Sequence, residues 1–327
     1  MPTLIDVYDN VNDPEAAGII STVVEEFPAM SMFDVEFHPN MKVADMRKGL
    51  GSRPKYRDFR EPFTSSESAP VEPLITALRI FGDRIEMDPE EEEIMTKEGR
   101  NYRAERVSEV SDNIAMDFKL HLLGKSKTIK SPDGIYQWID YWNTRSSAEL
   151  LIPFETTTAG ATILSKGSAH LIKRLRKLIS EVQPTMLLVN KRVTEEIEAL
   201  TQSADSAALA AYFTWGYVPI GMNGEQVYVA RFAGVPMFDM GDDSQDLPIQ
   251  PFDEVVGGDT DCTSIVAVRT SPRARRGFKI ALKNSQQPRI REFMYNGMMN
   301  IDISMPNATV ARGRNVVGRL YGIKEPA

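Results

Sequence analysis

The chain has 327 residues, 42% hydrophobic and 26% charged, enough to bury a sizeable core and better suited to two domains than to one. Its formal net charge of -8 excludes a general nucleic-acid binder, because release of counterions from a polyanion needs a net basic surface. Cys262 is the one cysteine, so an intrachain disulfide and a cysteine metal cluster are both excluded, and no apolar run approaches the ~18 residues of a membrane span.

Residues 14–30 open on Asp13-Pro14-Glu15, a cap followed by proline at the first helical position, and carry Ile19, Ile20, Val23, Val24 and Phe27 on one side. This predicts an N-terminal arm helix that docks on something. Residues 39–73 differ: Pro39, Pro54, Pro62, Pro70 and Pro73 punctuate a segment poor in large apolar residues and rich in Lys42, Arg47, Lys48, Arg53, Lys55, Arg57 and Arg60. A loop of roughly 35 residues without a core of its own is expected to be an excursion away from a compact domain. Leu74 to Met87 alternates and reads as the strand that returns from it.

Asp88-Pro89-Glu90-Glu91 is a helix start, with an acid as cap, proline at the first position and carboxylates against the dipole. From there a helical pattern runs to Gly124, with Val107, Val110, Ile114, Phe118 and Leu122 on one stripe, Gly99 as an interruption and Gly124 as the stop. A short helix over Pro132 to Trp142 and a strand over Leu150 to Phe154 follow. Next comes an α/β unit: a basic amphipathic helix from Ser168 to Val182, a buried strand from Thr185 to Val189 and a helix from Thr194 to Gln202. The last hundred residues read as antiparallel strands. Tyr217 to Ile220 and Gln226 to Phe232 flank Asn223-Gly224, a strong hairpin signal. Gly234 to Phe238, Thr263 to Arg269, Phe293 to Ser304 and Asn315 to Ile323 continue the pattern. Residues 239–261 hold eight acids and no base, and residues 269–291 hold eight bases and no acid.

Motifs that would carry chemistry are weak. Ser52-Arg53-Pro54-Lys55 followed by Ser111-Asp112-Asn113 matches the first two motifs of serine-acylating penicillin-binding proteins in order. Pro54 breaks the helix that such a Ser52 and Lys55 need, and Lys127-Thr128 is followed by Ile129 where the third motif requires glycine. His38, His121 and His170 lie at no metal-binding spacing, and Cys262 sits in an acidic segment that disfavours a thiolate. Gly49-Leu50-Gly51 lacks the third glycine of a dinucleotide turn. Asp239, Asp242, Asp243 and Asp246 lack the spacing of a calcium loop. Arg273, Arg275, Arg276 and Lys279 form a basic run able to grip phosphate or a partner's acidic loop. The expectation is therefore a protein that is not an enzyme, binds no cofactor and no metal, and works through its surfaces.

The order of parts, an arm, a long protruding loop, a long spine helix, a compact α/β unit and a return to strands, resembles the major capsid proteins of tailed bacteriophages, whose shell fold is shared with encapsulins. The local text agrees. Leu122-Leu123-Gly124-Lys125-Ser126 with Ser131-Pro132-Asp133-Gly134-Ile135 looks like the end of the spine helix and the short helix after it. Thr185-Met186-Leu187-Leu188-Val189-Asn190-Lys191-Arg192-Val193 looks like the strand and turn of the capsomer-centre domain, and Phe232-Ala233-Gly234-Val235-Pro236 with Thr263-Ser264-Ile265-Val266-Ala267-Val268 like its last strands.

The resemblance implies an α+β fold of the tailed-phage major-capsid type, with an N-terminal arm (1–30), an extended hairpin loop (31–88), a peripheral domain with the spine helix (89–165), an α/β axial domain (166–270) and C-terminal strands returning to the peripheral domain (271–327). It implies a major capsid protein that self-assembles into pentamers and hexamers of an icosahedral virion head around double-stranded DNA, held by non-specific proximity, and that is assembled in the bacterial host cytoplasm without a membrane. Separate scaffold, portal and decoration proteins are the expected partners. Many members begin with a helical scaffolding segment, so here a scaffold is expected to be either cleaved off or a separate chain. The alternatives are an encapsulin-type compartment and, from another class, a hydrolase built on Ser52 and Lys55. Charge suggests one inter-subunit contact, between the basic cluster of the loop (Arg47, Lys48, Arg53, Lys55, Arg57, Arg60) and the acidic start of the spine region (Glu90, Glu91, Glu92, Glu93).

Overall fold

The computed structural model describes residues 19–24, 27–48, 71–99, 101–125, 130–145, 149–202, 207–219, 226–270, 277–283 and 289–326. Two sheets and one free ribbon organise them. The first sheet is built on β14 (Met298–Arg312), 15 residues long. Asn307 pairs with Leu282 of β12 (Gly277–Lys283) and with Arg79 of β4 (Arg79–Met87), and Ser304 pairs with Arg289 of β13 (Arg289–Tyr295) and with Gly82 of β4. β12 and β13 therefore lie end to end on one edge of β14, with β4 on the other. β1 (Asp34–His38) adds to β12 in parallel, so the start of the expected excursion belongs to this sheet. A β-carbon on Gly82 would lie 1.9 Å from the Ile303 carbonyl oxygen, and the close approach of β4 to β14 requires glycine there.

The expected long helix forms in two pieces. α1 (Pro89–Lys97) is capped by Asp88, whose side chain accepts from the Glu90 N–H, and it ends before Gly99. α2 (Tyr102–Leu123) restarts on Asn101, which accepts from the Ala104 N–H. Val107 and Ile114 of α2 bury against Ile85, Ile301 and Ile303 of the first sheet. The arm residues Ile20, Val23, Val24 and Phe27 are buried in the main core, as their spacing predicts. α2 stops on Gly124 at φ 79°, and α3 (Ile135–Asn143) starts after Gly134. A β-carbon on Gly134 would lie 2.3 Å from the Gly124 α-carbon, so the helix ends meet backbone to backbone. Gln137 locks them, donating to the Gly124 carbonyl and accepting from the Gly134 N–H.

The second sheet runs β5 (Leu151–Pro153), β15 (Val317–Lys324), β11 (Asp259–Val268), β6 (Met186–Val189), β9 (Val235–Asp239), β8 (Gln226–Phe232), β7 (Phe213–Pro219), with β10 (Glu254–Val256) on β11. Every residue of β6 is buried, as expected of a central strand covered on both faces. α4 (Ile163–Val182) and α5 (Lys191–Thr201) pack on one face through Leu171, Leu175, Leu178, Val193 and Ile197. A β-carbon on Gly318 of β15 would point at Leu178 and Val182 of α4, whereas the next residue, Arg319, stacks on Tyr136 of α3. Successive strand residues face opposite ways, so α4 and α3 lie on opposite faces of this sheet.

Several elements depart from expectation. The helix expected from Ser168 starts at Ile163, kinked at Gly167, and the one expected from Thr194 starts at Lys191 on an Asn190 cap. Phe293 to Ser304 is not one strand. Asn296 and Gly297, at φ 51° and 81°, turn it into the β13–β14 hairpin, the left-handed pair that a two-residue hairpin loop demands. Gly277–Lys283, unassigned in the sequence reading, is a buried strand. Within residues 271–327, β12, β13 and β14 join the first sheet, and β15 joins the second between β5 and β11. The Asn223-Gly224 turn lies outside the described residues, but β7 and β8 pair from Phe213 with Phe232 to Pro219 with Gln226, as a hairpin around it would.

Candidate assembly surfaces

The ribbon consists of β2 (Lys42–Lys48) and β3 (Val71–Ala77), paired from Lys42 with Ala77 to Lys48 with Val71 and, among the described residues, with nothing else. Its base is anchored where Val43 and Leu78 bury against Ala281, Ala308 and Val310 of the first sheet. Further out Ile75 is 60% exposed, and just past the ribbon Ile80 is 68% exposed. One face of β3 packs on the chain through Leu74 and Thr76, while Ile75 on the other face meets water, so that face of the ribbon is uncovered in the single chain.

Arg47 and Lys48 stand at the outer end of β2, opposite Glu72 and Val71. Arg53, Lys55, Arg57, Arg60 and Ser52 lie outside the described residues. Glu90, Glu91, Glu92 and Glu93 occupy the first turns of α1, none of whose nine residues is buried. Glu93 pairs with Lys97 one turn on at 2.7 Å, both ends exposed, and Ile94 is exposed beside it. A helix that buries nothing against its own chain derives little stability from it and presents a surface.

Two more exposed apolar surfaces were not anticipated. On the β7–β8 hairpin Trp215 stacks on Tyr228 at 5.6 Å, and Tyr217 meets Tyr228 at 5.0 Å, all three rings exposed. At the tip of β13, Phe293, Met294 and Tyr295 are exposed next to the Asn296-Gly297 turn, with Arg84 over the Phe293 ring at 5.2 Å. The signal in the sequence was aromatic and apolar residues at both alternating positions of a strand, which a one-faced core does not use.

Side chains with chemical potential are occupied structurally. The Ser111 hydroxyl donates to the Val107 carbonyl at 2.6 Å inside α2. Cys262 is fully buried, and burial, with Asp261 and Asp259 adding to it, pushes its thiol up to about 11. Burial lowers the His38 and His121 imidazoles. His38 lies 3.2 Å from Glu36, His121 packs on the Phe81 ring and His170 contacts the Phe154 carbonyl, three separate places. Among the described residues no group of three metal-binding side chains forms. Lys279, part of the basic run expected to grip phosphate, is fully buried in β12, where β1 and β14 flank both edges, with its ammonium 3.9 Å from Glu36 of β1. Asp243 uses its carboxylate to accept from the Gln245 and Leu247 N–H groups, fixing the acidic loop from within.

No protein-family model matches the sequence, and no curated protein does. Solved structures do match the fold. The capsid of the native GTA particle aligns at a TM-score of 0.61 and 10% identity, over 93% of this chain and 91% of that one. The SrpI encapsulin of Synechococcus elongatus aligns at 0.58 and 10% identity, over 89% and 85%. The procapsid of satellite phage P4, which includes its size determination protein, aligns at 0.52 and 10%, over 96% and 93%. Across nearly its whole length, the chain has the α+β fold of the tailed-phage major capsid type, shared with an encapsulin.

Proposed function

We propose that the chain is a shell subunit, a major capsid protein that closes into an icosahedral head of pentamers and hexamers around double-stranded DNA. The observation that carries this is the β2–β3 ribbon, paired only with itself and exposing Ile75, in a chain whose fold aligns with shell proteins from end to end. In this reading residues 1–30 are the arm, 31–88 the extended loop, 89–165 the peripheral unit, 166–270 the axial unit and 271–327 the closing strands. Each contact between copies need only be weak, since repetition over a closed surface multiplies it. DNA is held by enclosure, in keeping with the net charge of -8. A scaffold is a fitting partner, as the P4 procapsid includes a size determination protein, and portal and decoration proteins complete the set. The subunit assembles in the bacterial cytoplasm and ends in the virion.

The loop contact is part of the proposal: the basic cluster from Arg47 to Arg60 rests on the α1 acids of a neighbouring copy. Exposed pairs contribute only ~0.2–1 kcal/mol each and are screened by salt, so the contact works collectively and at low ionic strength. Reversing Arg53, Lys55 and Arg57 to glutamate should block assembly without unfolding the subunit, and changing Glu90 to Glu93 into lysines should partly restore it. Normal assembly of the triple reversal at low salt contradicts the contact.

Negative-stain microscopy of the purified chain, with a scaffold if it needs one, tests the reading. Closed shells carrying nuclease-protected double-stranded DNA after infection support a phage head. A second reading, an encapsulin-type compartment, is favoured by the alignment with the SrpI encapsulin, and shells with a co-purifying enzyme and no protected DNA would select it. A monodisperse particle of 36.6 kDa under every condition contradicts both.

A further inference from the structure

The first sheet has an open edge at β13. Among the described residues β13 pairs with β14 alone, whereas β12, end to end with it, carries β1 on its outer edge. None of its seven residues is buried, and no lysine or proline blunts it, so it offers a row of backbone groups on which another strand can add. The two-residue Asn296-Gly297 turn makes Tyr295 and Met298 the closing hydrogen-bonded pair. Bonding direction alternates along a strand, so Tyr295, Phe293, Arg291 and Arg289 bond to β14, and Met294, Glu292 and Ile290 turn their N–H and C=O groups outward.

The β13 sequence, Arg-Ile-Arg-Glu-Phe-Met-Tyr, is complementary to its own reverse. Set antiparallel against a copy of itself about Glu292, the register that uses all seven residues, it places Arg289 opposite Tyr295, Ile290 opposite Met294 and Arg291 opposite Phe293. These are two cations against aromatic rings and one apolar contact, each a favourable cross-strand pair. In the same register every outward-turned residue meets an outward-turned residue, so the ladder bonds close. Only the centre sets like charges together, Glu292 against Glu292, and each of these pairs with Arg103 of its own α2.

We propose that β13 pairs edge to edge with β13 of a second copy, antiparallel across a two-fold axis at Glu292, so that two first sheets become one. The occupant follows from the self-complementary order of charge, aromatic and apolar residues. Because the axis maps each strand onto the other, the contact is isologous and stops at two copies. It goes beyond the shell reading, since two copies can pair whether or not a shell closes.

Cysteine crosslinking of the full chain under mild oxidation reads this register, with Cys262, fully buried, left in place. A hydrogen-bonded pair holds its α-carbons about 5.5 Å apart, within disulfide reach. Glu292→Cys should therefore crosslink to itself and run at twice 36.6 kDa on a non-reducing denaturing gel. Its rate should exceed that of Val255→Cys, an exposed control on β10, by at least about tenfold, since pairing raises the effective concentration of the thiols. Arg291→Cys and Phe293→Cys should each stay single alone, because like positions lie about 7–8 Å apart on the diagonal, and should crosslink when mixed. That mixture also carries the test if Glu292→Cys does not fold. Adding Arg103→Ala to both of its chains leaves the two glutamates facing each other and should slow the crosslink severalfold at low salt. Adding Glu292→Gln as well should restore it to within about twofold. Equal rates for Glu292→Cys and Val255→Cys overturn the pairing, whatever else occupies the edge, and so does a crosslink in Arg291→Cys alone as fast as in the mixture. An Arg103→Ala mixture that crosslinks at the unmodified rate does the same. Shells that form while these crosslinks fail leave the shell reading standing, and crosslinks in a chain that closes no shell leave the pairing standing without it.

Discussion

The second sheet and the β2–β3 ribbon are both made of extended chain, yet one is complete and the other is not. β6 is covered on both faces and paired on both edges, by β11 and β9, so its four residues need nothing from outside. β3 has one partner, and Ile75 on it faces water. The first region stores the stability of the chain; on the proposed shell reading, the second holds surface whose burial waits for another copy. On that reading the two regions should respond oppositely to mutation.

The largest expected effect tests that opposition. Leu175→Ala, in the fully buried face of α4, should lower the unfolding free energy of the subunit by about 2–5 kcal/mol in urea titration. Ile75→Ala should leave it within about 0.5 kcal/mol while reducing assembly. Equal losses for the two would erase the distinction between complete and deferred regions. A smaller effect is expected at the α2–α3 junction. Gly134→Ala places a methyl against the Gly124 backbone, and the resulting overpacking should cost about 1–3 kcal/mol, visible as an earlier denaturant midpoint with an unchanged slope.

The smallest effect is electrostatic and sharpens the account of the complete region. Glu196 is buried in α5. Burial raises its carboxyl above the ordinary range, although hydrogen bonds from the Leu164 and Ile163 N–H groups pull the other way. A carboxyl raised on folding binds its proton more tightly in the native state. Its contribution is fully present below the ordinary carboxyl range and is lost as pH rises through the raised value. Glu196→Gln should therefore be more stable than the parent near neutrality, by under about 1 kcal/mol, and the gap should close in acid. A gap that widens on acidification contradicts the assignment.

The complete region was also the more legible one. The buried strand at Met186–Val189, the α2 stripe from Val107 to Leu122 and the stop at Gly124 followed from periodicity and capping, because burial within one chain imposes a repeat on its sequence. Legibility failed where two signals competed. Four bases at Lys279, Lys283, Arg289 and Arg291 hid two strands, although Phe278, Ile280 and Leu282 alternate with Lys279 in one of them. The Asn296-Gly297 turn is masked by apolar residues at both alternating positions around it, a pattern that a one-faced core does not impose. The candidate assembly surfaces were legible as charge clusters, but their placement was not. That α4 and α3 lie on opposite faces of one sheet follows from the Gly318–Arg319 alternation, which no local pattern encodes.

The central claim is that the ribbon is completed by another copy, and amide hydrogen exchange across residues 42–48 and 71–77 measures it directly in the free subunit and in the assembled particle. The account predicts that these amides exchange with little protection in the subunit and slow by at least ~100-fold on assembly, while Met186–Val189 is protected in both. Ribbon amides as protected in the free subunit as those of Met186–Val189, and unchanged on assembly, would contradict it.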